Sequence, residues 1–136
     1  MQLCKKTAIT PSIEIKAGDA SAVLDVVRKT GMEHACLIIS FGRAALEQMR
    51  SLSSGIPLQL VADTISATEI AYAQEIRNCG LDINVGNVTQ ASIYAAHTAG
   101  VAIGAWTTDN YTTIQQLVSW GIDSITSNMV TGGIVR

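Results

Sequence analysis

The feature that most constrains this chain is a junction used four times: an amphipathic stretch, a glycine, then a short apolar run. It falls at Gly31, Gly80, Gly100 and Gly121. Glycine takes the left-handed conformation that ends a helix at little cost, so each junction reads as helix, cap, strand. Apolar runs begin near residues 12, 35, 57, 82, 101 and 122. They recur about every twenty residues, the length of one strand-plus-helix unit. Runs such as Ala35-Cys36-Leu37-Ile38-Ile39-Ser40 are apolar throughout rather than alternating. That pattern belongs to strands covered on both faces, as in a parallel sheet clad by helices.

The helices between these strands have their own start signals. Asp19 precedes Ala20, Val23, Leu24 and Val27, an apolar stripe at helical spacing that Thr30-Gly31 closes. Ala45, Leu46, Met49 and Leu52 line a second helix, broken by Ser53-Ser54-Gly55. Ser66-Ala67-Thr68-Glu69 is a capping box, opening a helix expected to end at Cys79-Gly80. Residues 89–99 form a further helix, and Asp109 or Asn110 caps the one after it. Strands are expected at 12–16, 35–40, 57–62, 82–85, 101–106 and 122–126. Leu3-Cys4-Lys5-Lys6 reads as the end of a helix that precedes the first strand, and the tail from Ser127 has no period.

Composition excludes several classes. Hydrophobic residues make up 48% of the 136 and charged residues 15%, so the chain folds around a core. The net charge is −2 with no basic run, which argues against a nucleic-acid surface or a polybasic membrane anchor. No apolar stretch approaches the roughly eighteen residues of a membrane span. The N-terminus lacks the apolar core of a signal peptide. Cys4, Cys36 and Cys79 are odd in number and far apart, which fits reduced thiols in a cytoplasmic protein.

Two architectures suit six strand–helix units within one domain, residues 1–136: an open doubly wound sheet, or part of a (β/α) barrel, which takes eight units and roughly 250 residues. In both, function sits at the C-terminal ends of the strands. One strand is unusual there. In Ser12-Ile13-Glu14-Ile15-Lys16, expected to be buried, the two charges share a face. They read either as an ion pair at a strand end or as an active-site pair, the Glu for a metal and the Lys for a phosphate. Trp106 at the end of the fifth strand walls a ligand pocket or is a core Trp with its N–H satisfied. His34 and His97 fall at the bottom of a strand and the end of a helix, where structural roles are expected. No nucleotide-binding glycine loop or nucleophile elbow is present.

Taken in order, several segments resemble the glycerophosphodiester phosphodiesterase family. Ile13-Glu14-Ile15-Lys16 resembles its third barrel strand and Ile38-Ile39-Ser40-Phe41 its fourth, which commonly ends in Ser-Phe. Ala96 to Val101 followed by Ala105-Trp106-Thr107-Thr108-Asp109-Asn110 resembles the helix and seventh strand ending in Trp-Thr-Val-Asn. Gly121-Ile122-Asp123-Ser124-Ile125-Thr126 resembles the eighth. The resemblance implies an α/β parallel barrel of TIM type, N-terminally incomplete, with six of eight units. It implies metal-dependent hydrolysis of a small-molecule glycerophosphodiester to glycerol phosphate and an alcohol, with Mg or Ca as the metal. On it, Glu14 binds the metal, Lys16 serves the phosphate, and Phe41 and Trp106 contact substrate. The family's His-Arg-Gly motif, Glu-x-Asp pair and second His have no counterpart here, and its Thr-Asp-x-Pro loop is replaced by Thr126-Ser127-Asn128-Met129. One carboxylate is a poor site for a hard divalent ion, so weak metal binding and no turnover by this chain alone are expected. Open barrel edges would favour homo-oligomers. The other readings are a non-catalytic binding or assembly module and a complete flavodoxin-like domain.

Overall fold

A computed structural model describes residues 1–7 and 9–129 of the chain, without the side chains of Gln2 and Lys5. The expected tail from Ser127 therefore lies largely outside the described residues. The order of elements is α1 (Gln2–Thr7), β1 (Ser12–Glu14), α2 (Ala20–Lys29), β2 (Leu37–Ser40), α3 (Arg43–Leu52), β3 (Leu58–Ala62), α4 (Ala67–Ile76), β4 (Cys79–Asn84), a 3-10 turn (Val85–Asn87), α5 (Gln90–Thr98), β5 (Ile103–Trp106), α6 (Tyr111–Ser119) and β6 (Ser124–Ile125).

All six strands are parallel and lie in sequence order, β1-β2-β3-β4-β5-β6. A doubly wound sheet reverses its order at a switch point, and this one does not. The strands form a half-barrel with helices alternating along its outside. The flavodoxin-like alternative is thereby overturned.

Side chains pointing to the helices make the core. Ile38, Leu58, Leu60, Leu81, Ile83 and Ile103 are at most 2% exposed, packed on Leu24, Val27, Leu46, Met49 and Ile93 from the helices. Asp19 caps α2 by accepting from the Ser21 N–H at 2.8 Å. The capping box forms at α4: Ser66 Oγ accepts from the Thr68 N–H and Glu69 accepts from the Ser66 N–H at 2.9 Å. Asn110, not Asp109, caps α6, accepting from the Thr113 N–H at 3.0 Å.

Two expectations are corrected. The helix at 67–76 does not end at Cys79-Gly80. Its left-handed exit is made by Arg77 and Asn78, with φ of 61° and 44°. Cys79 and Gly80 instead open β4, which starts three residues before the expected 82. Asparagine tolerates this conformation better than most residues, and Arg50 supports it. The guanidinium of Arg50 donates to the carbonyls of Ser53, Ser54 and Ile56 after its own helix, and to those of Ile76, Arg77 and Asn78, at 2.8–3.2 Å. One side chain thus satisfies carbonyls at the ends of α3 and α4 that have no helical partner. Gly80 instead lets a neighbouring backbone come close, since a Cβ there would lie 3.2 Å from the Ala102 carbonyl oxygen, tighter than an ordinary contact.

The second correction concerns β1. It was expected to be buried, but Ser12 and Glu14 are exposed. β1 is an edge strand, and its inner face looks across the open side of the half-barrel, where nothing among the described residues covers it.

Candidate functional site

Alternation along each strand decides what faces the open, concave side. Opposite the core-facing residues stand Glu14 and Lys16 from β1 and its exit, Ile39 and Phe41 from β2, Gln59 and Val61 from β3, Asp82 and Asn84 from β4, Gly104 and Trp106 from β5, and Ser124 from β6. The register carries the pairing Asp82 to Gly104 to Ser124 across three neighbouring strands.

At the first exit, the Lys16 ammonium stands 3.6 Å from a Glu14 carboxylate oxygen, with side chains 79% and 32% exposed. The two charges expected on one face are on one face, and they form a pair. Such an exposed pair adds little to stability, so its place at a strand exit is not explained by folding alone.

Across the concave mouth, from the exits of β2 and β5, Phe41 and Trp106 meet edge to face, with ring centroids 5.6 Å apart and an interplanar angle of 81°. Phe41 is 52% exposed, and Trp106 is half-buried. The indole N–H of Trp106 is satisfied, donating to the Asp82 carbonyl at 3.1 Å, and part of the residue remains exposed. Ser40, one residue before Phe41, turns the other way. It is buried, donates to the Ile15 carbonyl at 2.7 Å and accepts from the Gly42 N–H at 3.0 Å. That bond ties the exit of β1 to the exit of β2 and sets Phe41 beside the Glu14–Lys16 strand.

Sequence reasoning missed Asp82. It is 7% exposed, and no side chain or N–H among the described residues hydrogen-bonds its carboxylate. Burial pushes its carboxyl up to about 6. Three polar side chains lean over Gly104 around it: a Cβ at Gly104 would lie 2.9 Å from Asp82 Oδ1 and 3.3 Å from Gln59 Nε2, and would overlap Ser124 Oγ. The available signal was a lone acid in the apolar run Leu81-Asp82-Ile83.

The loop after β6 is ordered by an acid from the loop after β5. Asp109 accepts from Ser127 Oγ at 2.8 Å, from the Asn128 N–H at 2.7 Å and from the Asn128 amide at 3.2 Å. These bonds hold its carboxyl below the usual carboxylate range. His97 is structural, as expected: its Nε2 is 2.8 Å from Asp123, which also accepts from the Ile103 N–H at 2.7 Å.

At the exit of β1 the arrangement offers Lys16 for an anion and Glu14 for a metal. Among the described residues no group of three or more His, Cys, Asp or Glu side chains is placed to hold a metal ion. A divalent cation wants several oxygen ligands, so the described residues alone do not fit one.

A match to the glycerophosphoryl diester phosphodiesterase family model runs over residues 5–131. The chain belongs to that family. No curated protein matches the sequence. Among solved structures, an Oleispira antarctica phosphodiesterase in complex with the product sn-glycerol-3-phosphate is similar, with TM-score 0.84 and 18% identity over 93% of this chain and 54% of that one. A Silicibacter pomeroyi protein bearing the name glycerophosphoryl diester phosphodiesterase gives 0.83 and 19%, covering 93% and 50%. A Parabacteroides distasonis glycerophosphodiester phosphodiesterase gives 0.73 and 20%, covering 85% and 52%. The chain spans about half the length of these structures. At such identities the likeness establishes the fold. Among the described residues no helix is long and apolar enough to cross a membrane.

Proposed function

We propose that this family member is a phosphodiesterase-type protein whose concave strand ends bind a small glycerophosphodiester, and that the chain by itself does not turn the substrate over. The observation that carries the reading is the grouping of Glu14, Lys16, Phe41 and Trp106 at the strand exits of one concave face. Lys16 supplies a mobile ammonium for a phosphate oxygen. Phe41 and Trp106 supply apolar surface for the carbon skeleton. Glu14 is the one carboxylate at β1 that would join a metal site completed by other groups, with Mg or Ca as the fitting hard ions. When bound, such a metal neutralises phosphate charge.

Hydrolysis also needs a base and an acid near the reacting atoms. His97 is engaged with Asp123 at the opposite end of its strand. His34, two residues before Cys36 at the entry of β2, lies near Gly55 at the bottom of the sheet. Neither serves. Within this reading, residues 1–136 act as a single partial barrel domain, in the cytoplasm, with the β1 and β6 edges, unpaired among the described residues, disposed to pair with another copy.

The absence of a three-ligand cluster among the described residues favours one second reading, a non-catalytic binding module on the same scaffold. The test is to titrate the purified chain with sn-glycerol 3-phosphate and to assay glycerophosphodiester hydrolysis with Mg or Ca. Weak binding lost in Lys16→Ala, with no turnover, is expected. Ordinary turnover abolished by Glu14→Ala would overturn the claim of inactivity. Binding untouched by Lys16→Ala would overturn the phosphate assignment.

A further inference from the structure

The N-terminal ends of the strands border a cavity, far from the exits that carry Glu14, Lys16, Phe41 and Trp106. Its volume is about 680 Å³, within the range of small-molecule sites. Leu37 at the entry of β2, and Val101 and Ala102 just ahead of β5, give it apolar walls. At its rim Gln74 donates to the Ala99 carbonyl at 2.9 Å, which joins the end of α4 to the end of α5. No Asp or Glu lines the cavity, and the one cation that does is Arg77.

Arginine is a costly choice at that turn. The φ of 61° and ψ of 155° at Arg77 lie where glycine goes freely and other residues seldom do. Glycines take the positive-φ places after α2, α5 and α6, at Gly31, Gly100 and Gly121, but α4 leaves through an arginine. Arg50 holds the turn by donating to the carbonyls of Ile76, Arg77 and Asn78. Arg50 is spent in doing so. Arg77 is exposed and has no ion pair among the described residues. A strained backbone position that carries a long, unpaired side chain at a cavity points to that side chain as a ligand clamp.

The walls and the charge together are selective. A cation meets Arg77 and no carboxylate. A neutral polyol needs free donors, and the amides that line the cavity are engaged: Gln59, Gln74 and Asn78 donate to the carbonyls of Leu81, Ala99 and Gly55. A phosphate dianion finds a single cation, with its other oxygens against apolar walls. A carboxylate on an aliphatic body matches both parts, since the guanidinium fork takes its two oxygens and the walls take its carbons. We propose that this cavity binds a small aliphatic monocarboxylate, with Arg77 pairing the carboxylate. The site stands independently of the phosphodiester reading above.

Hexanoate is the probe, with hexanamide as its neutral isostere and acetate as the anion without the chain. The readout is the amide NMR signals of Gly80, Gly100 and Ala102, which line the cavity. At about pH 7, where a carboxylate is ionised, hexanoate should shift these signals saturably, with roughly tenfold higher affinity than either comparison compound. Arg77→Gln should bring hexanoate down to the affinity of hexanamide. Arg77→Gly should do the same in a chain that stays folded in urea unfolding, because glycine takes the φ of 61° without strain. No saturable shift with hexanoate, equal affinity for hexanoate and either comparison compound, or a margin over hexanamide that survives Arg77→Gln would each overturn the proposal.

Discussion

Replacing Asp82 by Asn should stabilise the chain at neutral pH and make no difference in acid. Asp82 is nine-tenths buried without a partner among the described residues, and burial pushes its carboxyl up to about 6. Raising a carboxyl from its ordinary value of about 4 to about 6 corresponds to about 3 kcal/mol between its charged and neutral forms. The sign follows from which state holds the proton. Below about pH 4 the carboxyl is protonated whether the chain is folded or not, and the burial of its charge costs nothing. Between about 4 and 6 the unfolded chain releases the proton while the folded chain keeps it. Stability is lost across that window and stays lost above it. An amide of the same shape does not titrate, and it buries a polar group much as the protonated acid does, so that cost cancels in the comparison. The net gain expected for Asp82→Asn is therefore at most about 3 kcal/mol above about pH 7, vanishing below about pH 4. Urea unfolding followed by tryptophan fluorescence, in parallel for both chains across this range, measures it. A difference between the two midpoints that stays flat with pH would refute the reasoning, because it would place the Asp82 carboxylate in solvent or beside a cation.

Three further outcomes are expected. Arg50→Lys keeps the charge but cannot fork to six carbonyls; it should cost about 3 kcal/mol in urea unfolding, and Arg50→Ala more, since donors to α3 and α4 termini vanish together. Gly104→Ala should cost about 1 to 3 kcal/mol and shift the amide signals of Asp82 and Ser124, because its methyl meets Asp82 Oδ1 at 2.9 Å and Gln59 Nε2 at 3.3 Å. Ser66→Ala should cost about 1 kcal/mol and raise hydrogen exchange in the first turn of α4 alone, where its hydroxyl takes the Thr68 N–H.

What was legible in the sequence follows local rules. Gly31, Gly100 and Gly121 do adopt positive φ at helix ends, and Asp19, Ser66 and Asn110 do cap the helices that follow them. Those residues act within one turn of the chain, so their meaning survives without the fold. The side-chain alternation that sets Glu14 and Lys16 on one face is equally local. Gly80 was misread because two roles of glycine, ending a helix and admitting a neighbouring backbone, look identical in a sequence. Only the position of Ala102 separates them. Arg50 reads as an ordinary surface residue on a helix, yet its six acceptors lie up to twenty-eight positions away.

The concave face shows the same division. Sequence alone determined that the chain is a run of strand–helix units, because hydrophobic period and capping chemistry are set by neighbours along the backbone. It also marked Glu14, Lys16, Phe41 and Trp106 as chemically suggestive. Tertiary structure decided that the strands run in unbroken spatial order and that Phe41 meets Trp106 across the mouth. It also decided that Asp82, Gln59 and Ser124, from three strands, converge on the bare Cα of Gly104. Burial, and with it the displaced ionisation of Asp82, is a property of what surrounds a group in space. No spacing along the chain encodes it.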